Sequence, residues 1–242
     1  MPLFNTVILI TGASRGIGQA CRAVCEAKGA KVIPHASGPS DKTDDNFIYE
    51  DLSKAGAGAR VFASALAKHG HIDGVINNAG VYLPSPLDSE GWDDGWAKTM
   101  AVNVHAPADI CRAAVAHFRA RGDDIGTAKR IINIASRAGH RGDGVDHAAY
   151  AASKGAVLAM TKTWARGLSG EGIEFYAIAP GWVETRMAPQ DIENRKRAVA
   201  DIPLGRVAAP EEVAHMAAFL MTGACQSAVG STVDINGASY VR

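Results

Sequence analysis

The sequence lacks a net charge of either sign: 25 Lys and Arg offset 25 Asp and Glu in 242 residues. Such a chain exerts no bulk pull on nucleic acid or an anionic bilayer, so neither is expected as a partner. No apolar run approaches the roughly 18 residues needed to span a membrane. The opening "MPLFNTVILITGAS" has only a short apolar stretch and no basic leader, so it does not read as a signal peptide. Cysteine is scarce, and Cys21, Cys25, Cys111 and Cys225 show no metal-type spacing. No metal is expected, and buried free thiols are the expectation for the pair Cys21 and Cys25 in a predicted helix. Repeats, low-complexity tracts and linkers are also missing. These absences leave a soluble cytoplasmic protein of one domain, residues 1–242. A chain of this length buries roughly 70–75% of its unfolded surface.

What is present is a rhythm. Short apolar, β-branched runs occur at 7–11, 31–35, 47–50, 74–78, 130–135, 174–179 and 231–235. Helical patterns separate most of them, such as "GQACRAVCEAKG", "ARVFASALAKHG", "YAASKGAVLAMTKTWARGLSG" and "PEEVAHMAAFLM". Strand followed by helix, repeated, predicts βαβ units: an α/β fold of the Rossmann-like, doubly wound kind, a parallel sheet of about seven strands with helices on both faces. Several runs lack polar alternation, as strands covered on both faces do. In such sheets ligands bind beyond the carboxyl ends of the strands. The unusual residues fall there: "TGASRGIG" after the first strand, "NNAG" after the fourth, "AS" after the fifth and "PGWVET" after the sixth.

"TGASRGIG" spaces Gly12, Gly16 and Gly18 between a strand and a helix. Glycine allows the tight turn and a close approach of a pyrophosphate, and the helix start offers N–H groups to it. A dinucleotide site usually carries, about 20 residues on, an acid for the ribose hydroxyls. Here that acid is missing: the matching position is Ala36 or Ser37. Arg15 is available to pair with a 2′-phosphate, with Ser37 and His35 as hydrogen-bond partners. NADP is therefore favoured, with NAD as the alternative, because Asp41 and Asp44 lie nearby. The stretch "YAASK" sets Tyr150 and Lys154 four residues apart, on one helix face. Alone it reads as a polar helix face. Beside a nucleotide turn, the ammonium favours the phenolate and would lower the tyrosine pKa from its usual value near 10.

Together these motifs resemble the single-domain short-chain dehydrogenase/reductase family, in order and spacing, over nearly the whole chain. They are Thr11–Gly18, Asp51-Leu52, Asn77-Asn78-Ala79-Gly80, Asn103 in "AVNV", Ser136, Tyr150, Lys154, "PGWVET" and the ending "VDINGASY". The chain is similar to 3-oxoacyl-[acyl-carrier-protein] reductases and related carbonyl reductases. The resemblance implies a catalytic set of Asn103, Ser136, Tyr150 and Lys154. Tyr150 would act as general acid and base, Ser136 would hold the substrate oxygen, and Asn103 would anchor a proton-relaying water. For the cofactor it implies Gly12, Ser14, Arg15, Gly16, Ile17, Gly18, Ser37, Asp51, Leu52, Asn78, Ala79, Gly80, Tyr150, Lys154, Pro180, Gly181, Val183 and Thr185. Asp51 would bond the adenine amino group, and Val183 and Thr185 the nicotinamide carboxamide. Relatives are commonly homotetramers, so a homo-oligomer is expected.

The chain departs from the family pattern in places. The segment from Ser136 to Tyr150 is slightly longer than usual, and the link between the second and third strands is too short for a helix. Specificity is expected in 81–92, in the loop before Tyr150 and in a lid at 186–203. Trp182 and Met187 read equally as pocket wall or packing. Arg195-Lys196-Arg197 reads as a solvated helix face or a phosphate contact. Lys129 and Arg130 loosely fit a carrier-protein contact, and Glu171 opposes it. The leading function is interconversion of a carbonyl and a secondary alcohol by hydride transfer. A 3-oxoacyl thioester reductase is the alternative, and a nucleotide-binding regulator without turnover the remote one.

Overall fold

Alternating side chains decide which face of the sheet each strand residue meets. In β1 (Val7–Ile10), Ile8 and Ile10 pack into one apolar cluster and Val7 and Leu9 into another. The computed structural model describes residues 1–40, 43–122, 129–188 and 191–242. The strands that follow are β2 (Lys31–Ala36), β3 (Ile48–Tyr49), β4 (Gly74–Asn77), β5 (Arg130–Ile134), β6 (Glu174–Pro180) and β7 (Thr232–Ile235). All pair in parallel, in the order β3-β2-β1-β4-β5-β6-β7. Each expected strand is present, displaced by a residue or so at its ends. The order reverses between β1 and β4, the switch point at which such sheets bind ligands. Pro34, which has no N–H to donate, sits in β2 one residue before its pairing with β3 begins at His35.

Helices α1 (Gly16–Ala27), α2 (Ala57–His69), α3 (Trp92–Met100), α4 (Ala106–Ala120), α5 (Ala138–Arg141), α6 (Ala148–Leu168), α7 (Ile192–Ala200) and α8 (Pro210–Met221) cover the sheet and its rim. Cys21 and Cys25 of α1 and Val213, Ala217 and Met221 of α8 pack with Ile8, Ile76 and Ile132. Phe62 of α2 and Ile110 and Phe118 of α4 pack with Leu9, Val75 and Phe175 on the opposite face. Each fully buried side chain of this size contributes about 1.5–3 kcal/mol, so the two clusters hold the strand ends in register. Cys21, Cys25 and Cys111 are buried free thiols, and Cys225 is exposed. Between α3 and α4 the chain widens into one π-helical turn, Ala101–His105, which rotates Asn103 inward. Among the described residues no helix is long and apolar enough to cross a membrane, and none forms between β2 and β3.

Candidate active site

The glycine turn is built from backbone demands. Gly12 has φ +65°, and a Cβ at Gly18 would stand 2.2 Å from the Gly12 carbonyl oxygen. Only glycine fits that approach. Asn78 Nδ2 donates to the carbonyls of Thr11 at 2.9 Å and Gly12 at 3.2 Å, while the N–H groups of Asn78 and Ala79 donate to Thr11 Oγ1 at 3.0 Å. Thus β4's end braces β1's end. Arg15 precedes α1 in an extended conformation and gives it no side-chain cap, so the first N–H groups of α1 face outward for an anion. Ser14, Gly16 and Ile17 complete the turn, and a Cβ at Gly16 would meet Thr185 Cγ2 at 3.1 Å. That contact brings the segment after β6 against the turn. Arg15 and Ser37 are exposed at the same end of the sheet. Asp51 accepts the Ser53 N–H at 2.9 Å, and this bond holds its carboxyl below its usual pKa. Leu52 is buried beside it. The cradle therefore fits a dinucleotide: a close-approach turn, an uncapped helix start and, at Ala36, no acid in the ribose position.

His35 requires a correction. Rather than facing a 2′-phosphate, its ring is 2% exposed, accepts the Gly12 N–H on Nδ1 at 3.3 Å and lies 3.0 Å from the Glu50 carbonyl on Nε2. An accepting Nδ1 demands the neutral ring with its proton on Nε2, and burial lowers the His35 pKa in agreement. Of the two nearby acids, Asp44 is engaged by Arg22 at 3.1 Å, and Asp41 lies outside the described residues.

At the other side of the switch point, Ser136 follows β5, where its Oγ accepts the Ala138 N–H at 3.1 Å, and it stands close enough to Tyr150 in α6 to act on the phenol. Lys154, one turn on, donates to the Ile134 carbonyl at 2.8 Å, with its Nζ 5.8 Å from the Tyr150 ring centre. Asn103 Nδ2 donates to the Val81 carbonyl and to Ser153 Oγ, both at 3.0 Å, and its Oδ1 accepts the Val81 N–H at 2.8 Å. Asn103 does not bond Lys154 directly. Both approach Gly80, and a cavity of ≈ 10 Å³ lined by Thr11, Asn77, Asn103, Asn133 and Lys154 lies between them. That is room for about one water. Pro180 ends β6, and Gly181, Val183 and Thr185 follow along the rim.

The expected lowering of the Tyr150 pKa by Lys154 is not what the structure gives. Burial dominates both groups, pushing Tyr150 up to about 12, against the pull of Ser136, and Lys154 down to about 8. A phenol so placed is fully protonated at neutral pH, which suits it to give a proton. Sequence reasoning also missed Gly139, where a Cβ would lie 2.6 Å from the Lys154 carbonyl carbon; this glycine lets α5 seat on α6. No periodicity marks it. Tyr82 stacks on His147 (centres 3.9 Å apart) and meets Tyr150 at 4.8 Å and Trp182 at 6.1 Å, both edge to face. Trp182 thus belongs to an aromatic wall beside Tyr150, whereas Met187 is 43% exposed.

The basic candidates for a carrier contact are largely occupied. Arg130 binds Glu174 at 2.8 Å, and Lys129 is buried and donates to the Gly122 carbonyl at 2.6 Å. Glu171 is held by Arg119 at 2.7 and 2.8 Å. Arg195 pairs with Glu184, and Lys196 with Glu193 at 3.4 Å, which makes that run a solvated face.

Comparison with known proteins places this geometry. A family model described as "Enoyl-(Acyl carrier protein) reductase" matches residues 12–237. The chain belongs to the short-chain dehydrogenase/reductase family. As a member it is an NAD(P)-dependent oxidoreductase acting on a small-molecule substrate. The curated 3-oxoacyl-[acyl-carrier-protein] reductase of Thermotoga maritima is 32% identical over 255 residues, 98% of each chain. Among solved structures, a short-chain dehydrogenase/reductase mutant of Serratia marcescens superimposes with a TM-score of 0.89 at 28% identity, covering 100% of both chains. The Pseudomonas aeruginosa RhlG/NADP active-site complex gives 0.89 at 30%, covering 99% of this chain and 98% of that one. The reductases these descriptions name differ in the bond reduced, so membership fixes the chemistry's class and leaves the substrate to this chain's own cleft.

Proposed function

We propose that this family member reduces a carbonyl to a secondary alcohol with NADPH, and that Tyr150 supplies the proton. The observation that carries the reading is a buried Tyr150 beside Ser136, with Lys154 one helical turn away and its Nζ 5.8 Å from the phenol ring centre. When bound, the dinucleotide supplies the hydride. Ser136 holds the substrate oxygen, and Tyr150 protonates it as negative charge develops there. Lys154 holds positive charge close to the phenol as it gives up its proton, and Asn103 anchors a water that returns protons toward Lys154. Gly12, Gly16 and Gly18 receive the pyrophosphate at the α1 start, and Asp51 and Leu52 flank the adenine. Ala79, Gly80, Val183 and Thr185 line the nicotinamide. Arg15 and Ser37, with no acid between them, favour the 2′-phosphate of NADP over NAD.

The protein works as one domain in the cytoplasm, with 186–203 as a lid. Ala152 and Ala159 on the exposed face of α6 suit a helix-to-helix subunit contact, and a homotetramer is our reading. A 3-oxoacyl thioester remains the second reading, favoured by the named activity of the Thermotoga relative. A panel of free ketones and an acetoacetyl thioester, run with NADPH and NADH in parallel, tests all of this. Faster oxidation of NADPH is expected. Tight NADPH binding with no carbonyl turned over would instead favour a non-enzymatic regulator, and a preference for NADH would reject the cofactor assignment.

A further inference from the structure

Arg137 comes directly after Ser136 and carries its charge into a buried position, 5% exposed. Its N–H donates to the Pro180 carbonyl at 2.9 Å, and its stem runs along Gly181, where a Cβ would lie 3.5 Å from Arg137 Cδ. Both neighbours belong to the rim on which the reacting groups stand. Nη1 is buried and finds no hydrogen-bond partner among the described residues. It faces Asp201 Oδ2 at 3.5 Å, an atom that Arg141 Nη1 also approaches at 3.5 Å. Asp201 is 53% exposed and ends α7, in the 186–203 segment. The second acid in reach, Asp143, accepts the Gly144 N–H at 2.9 Å on Oδ1, and its charge acts on Tyr82 as well as on Arg137.

Leaving a guanidinium in this state is costly, since a buried ion loses several kcal/mol of hydration unless it is paired at close range. An arginine–carboxylate pair at its best is a fork of two bonds near 2.7–2.9 Å. One half-exposed carboxylate shared by two arginines at 3.5 Å falls well short of that. The rim beside Ser136 thus holds a buried cation whose pairing is incomplete. Tyr82 connects it to the reacting group: its ring meets Tyr150, and its hydroxyl lies within the field of Arg137.

We propose that Arg137 is an anion subsite of the substrate cleft, and that the substrate is an oxo acid whose carboxylate lies within a few carbons of the carbonyl. This rests on the carbonyl-reductase reading above. The carboxylate takes the planar fork of Arg137, Asp201 stays with Arg141, and the hydrocarbon part lies on Tyr82 and Trp182. The reaction leaves the carboxylate unchanged: hydride adds to the carbonyl carbon and the Tyr150 proton to its oxygen.

The test is calorimetric titration of the enzyme–NADP⁺ complex with acetoacetate, phenylglyoxylate and the methyl ester of each. The wild type is expected to bind the acids at least tenfold more tightly than the esters. Arg137→Gln should abolish that preference while leaving ester binding unchanged, and Arg137→Lys should keep part of it. Asp201→Asn, by removing the competing carboxylate, should tighten the acids further. A merely structural Arg137–Asp201 latch predicts the opposite pattern, with both variants melting lower and weakening acid and ester alike; that result overturns the proposal. So does a wild type that binds acids no better than esters, or a preference that survives Arg137→Gln. Failure of the underlying reading looks different: no carbonyl of any charge would then oxidise NADPH, whatever the binding data.

Discussion

The two sides of the cleft are held in different ways. On the cofactor side, β1, β2 and β4 are tied by backbone and short side-chain bonds: Asn78 to Thr11 and Gly12, Thr11 to two N–H groups, His35 between Gly12 and Glu50. On the substrate side, long side chains meet across loops: Tyr82 on His147, and Arg137 and Arg141 around Asp201. The first arrangement is rigid because each buried donor has a fixed partner, and a lost one costs about 1–3 kcal/mol. The second leaves the Arg137 pairing incomplete, where the proposed carboxylate would complete it. A fixed wall suits a cofactor common to many reactions, and an adaptable one suits a particular substrate.

The largest way to break the cofactor side is Gly18→Ala. Its methyl would collide with the Gly12 carbonyl at 2.2 Å, so NADPH affinity measured by fluorescence titration should fall at least a hundredfold, with a lowered melting temperature. A smaller effect concerns the reacting pair. Because Lys154 sits at about 8, its ammonium is present below that pH and lost above it. The kcat/KM for reduction should hold level through neutrality and decline as pH rises past about 8, while Tyr150, near 12, stays protonated throughout.

His35→Leu sharpens the comparison by stranding the Gly12 N–H and the Glu50 carbonyl. We expect a loss of about 1–3 kcal/mol in stability and weaker NADPH binding, with kcat at saturating cofactor little changed. In the wild type the sign with pH follows from burial, which lowers the His35 pKa below its unfolded value. Its contribution is complete above the ordinary histidine range and is lost as pH falls through the lower folded value, so thermal melts should drop in acid by more in the wild type than in His35→Leu. Smallest of all, Arg195→Ala removes an exposed pair with Glu184, and turnover of a small free ketone should not change.

The same division governs what the sequence made legible. The seven strands and the glycine turn announce themselves through local pattern, since β-branched runs and tight-turn glycines are needed where they stand. Asn78, Ser136, Tyr150 and Lys154 fall at strand ends or at helical spacing, so their positions could be read as well. His35 was misread because its partners, Gly12 and Glu50, are distant in the chain and only strand order joins them. The tuning of Tyr150 was misjudged because spacing reveals a neighbouring charge and does not reveal burial. Gly139 and Arg137 carry no periodic signal at all. Each matters only once α5 lies against α6 and β6.

The proposed role of Tyr150 is to give its proton to the carbonyl oxygen as the hydride arrives. It is tested most directly by Tyr150→Phe, measuring kcat for carbonyl reduction and NADPH affinity on the same preparation. The expected result is a kcat lower by about 10²–10⁴-fold, with NADPH affinity changed far less than kcat. Retained turnover, or a loss explained wholly by weaker NADPH binding, would contradict it.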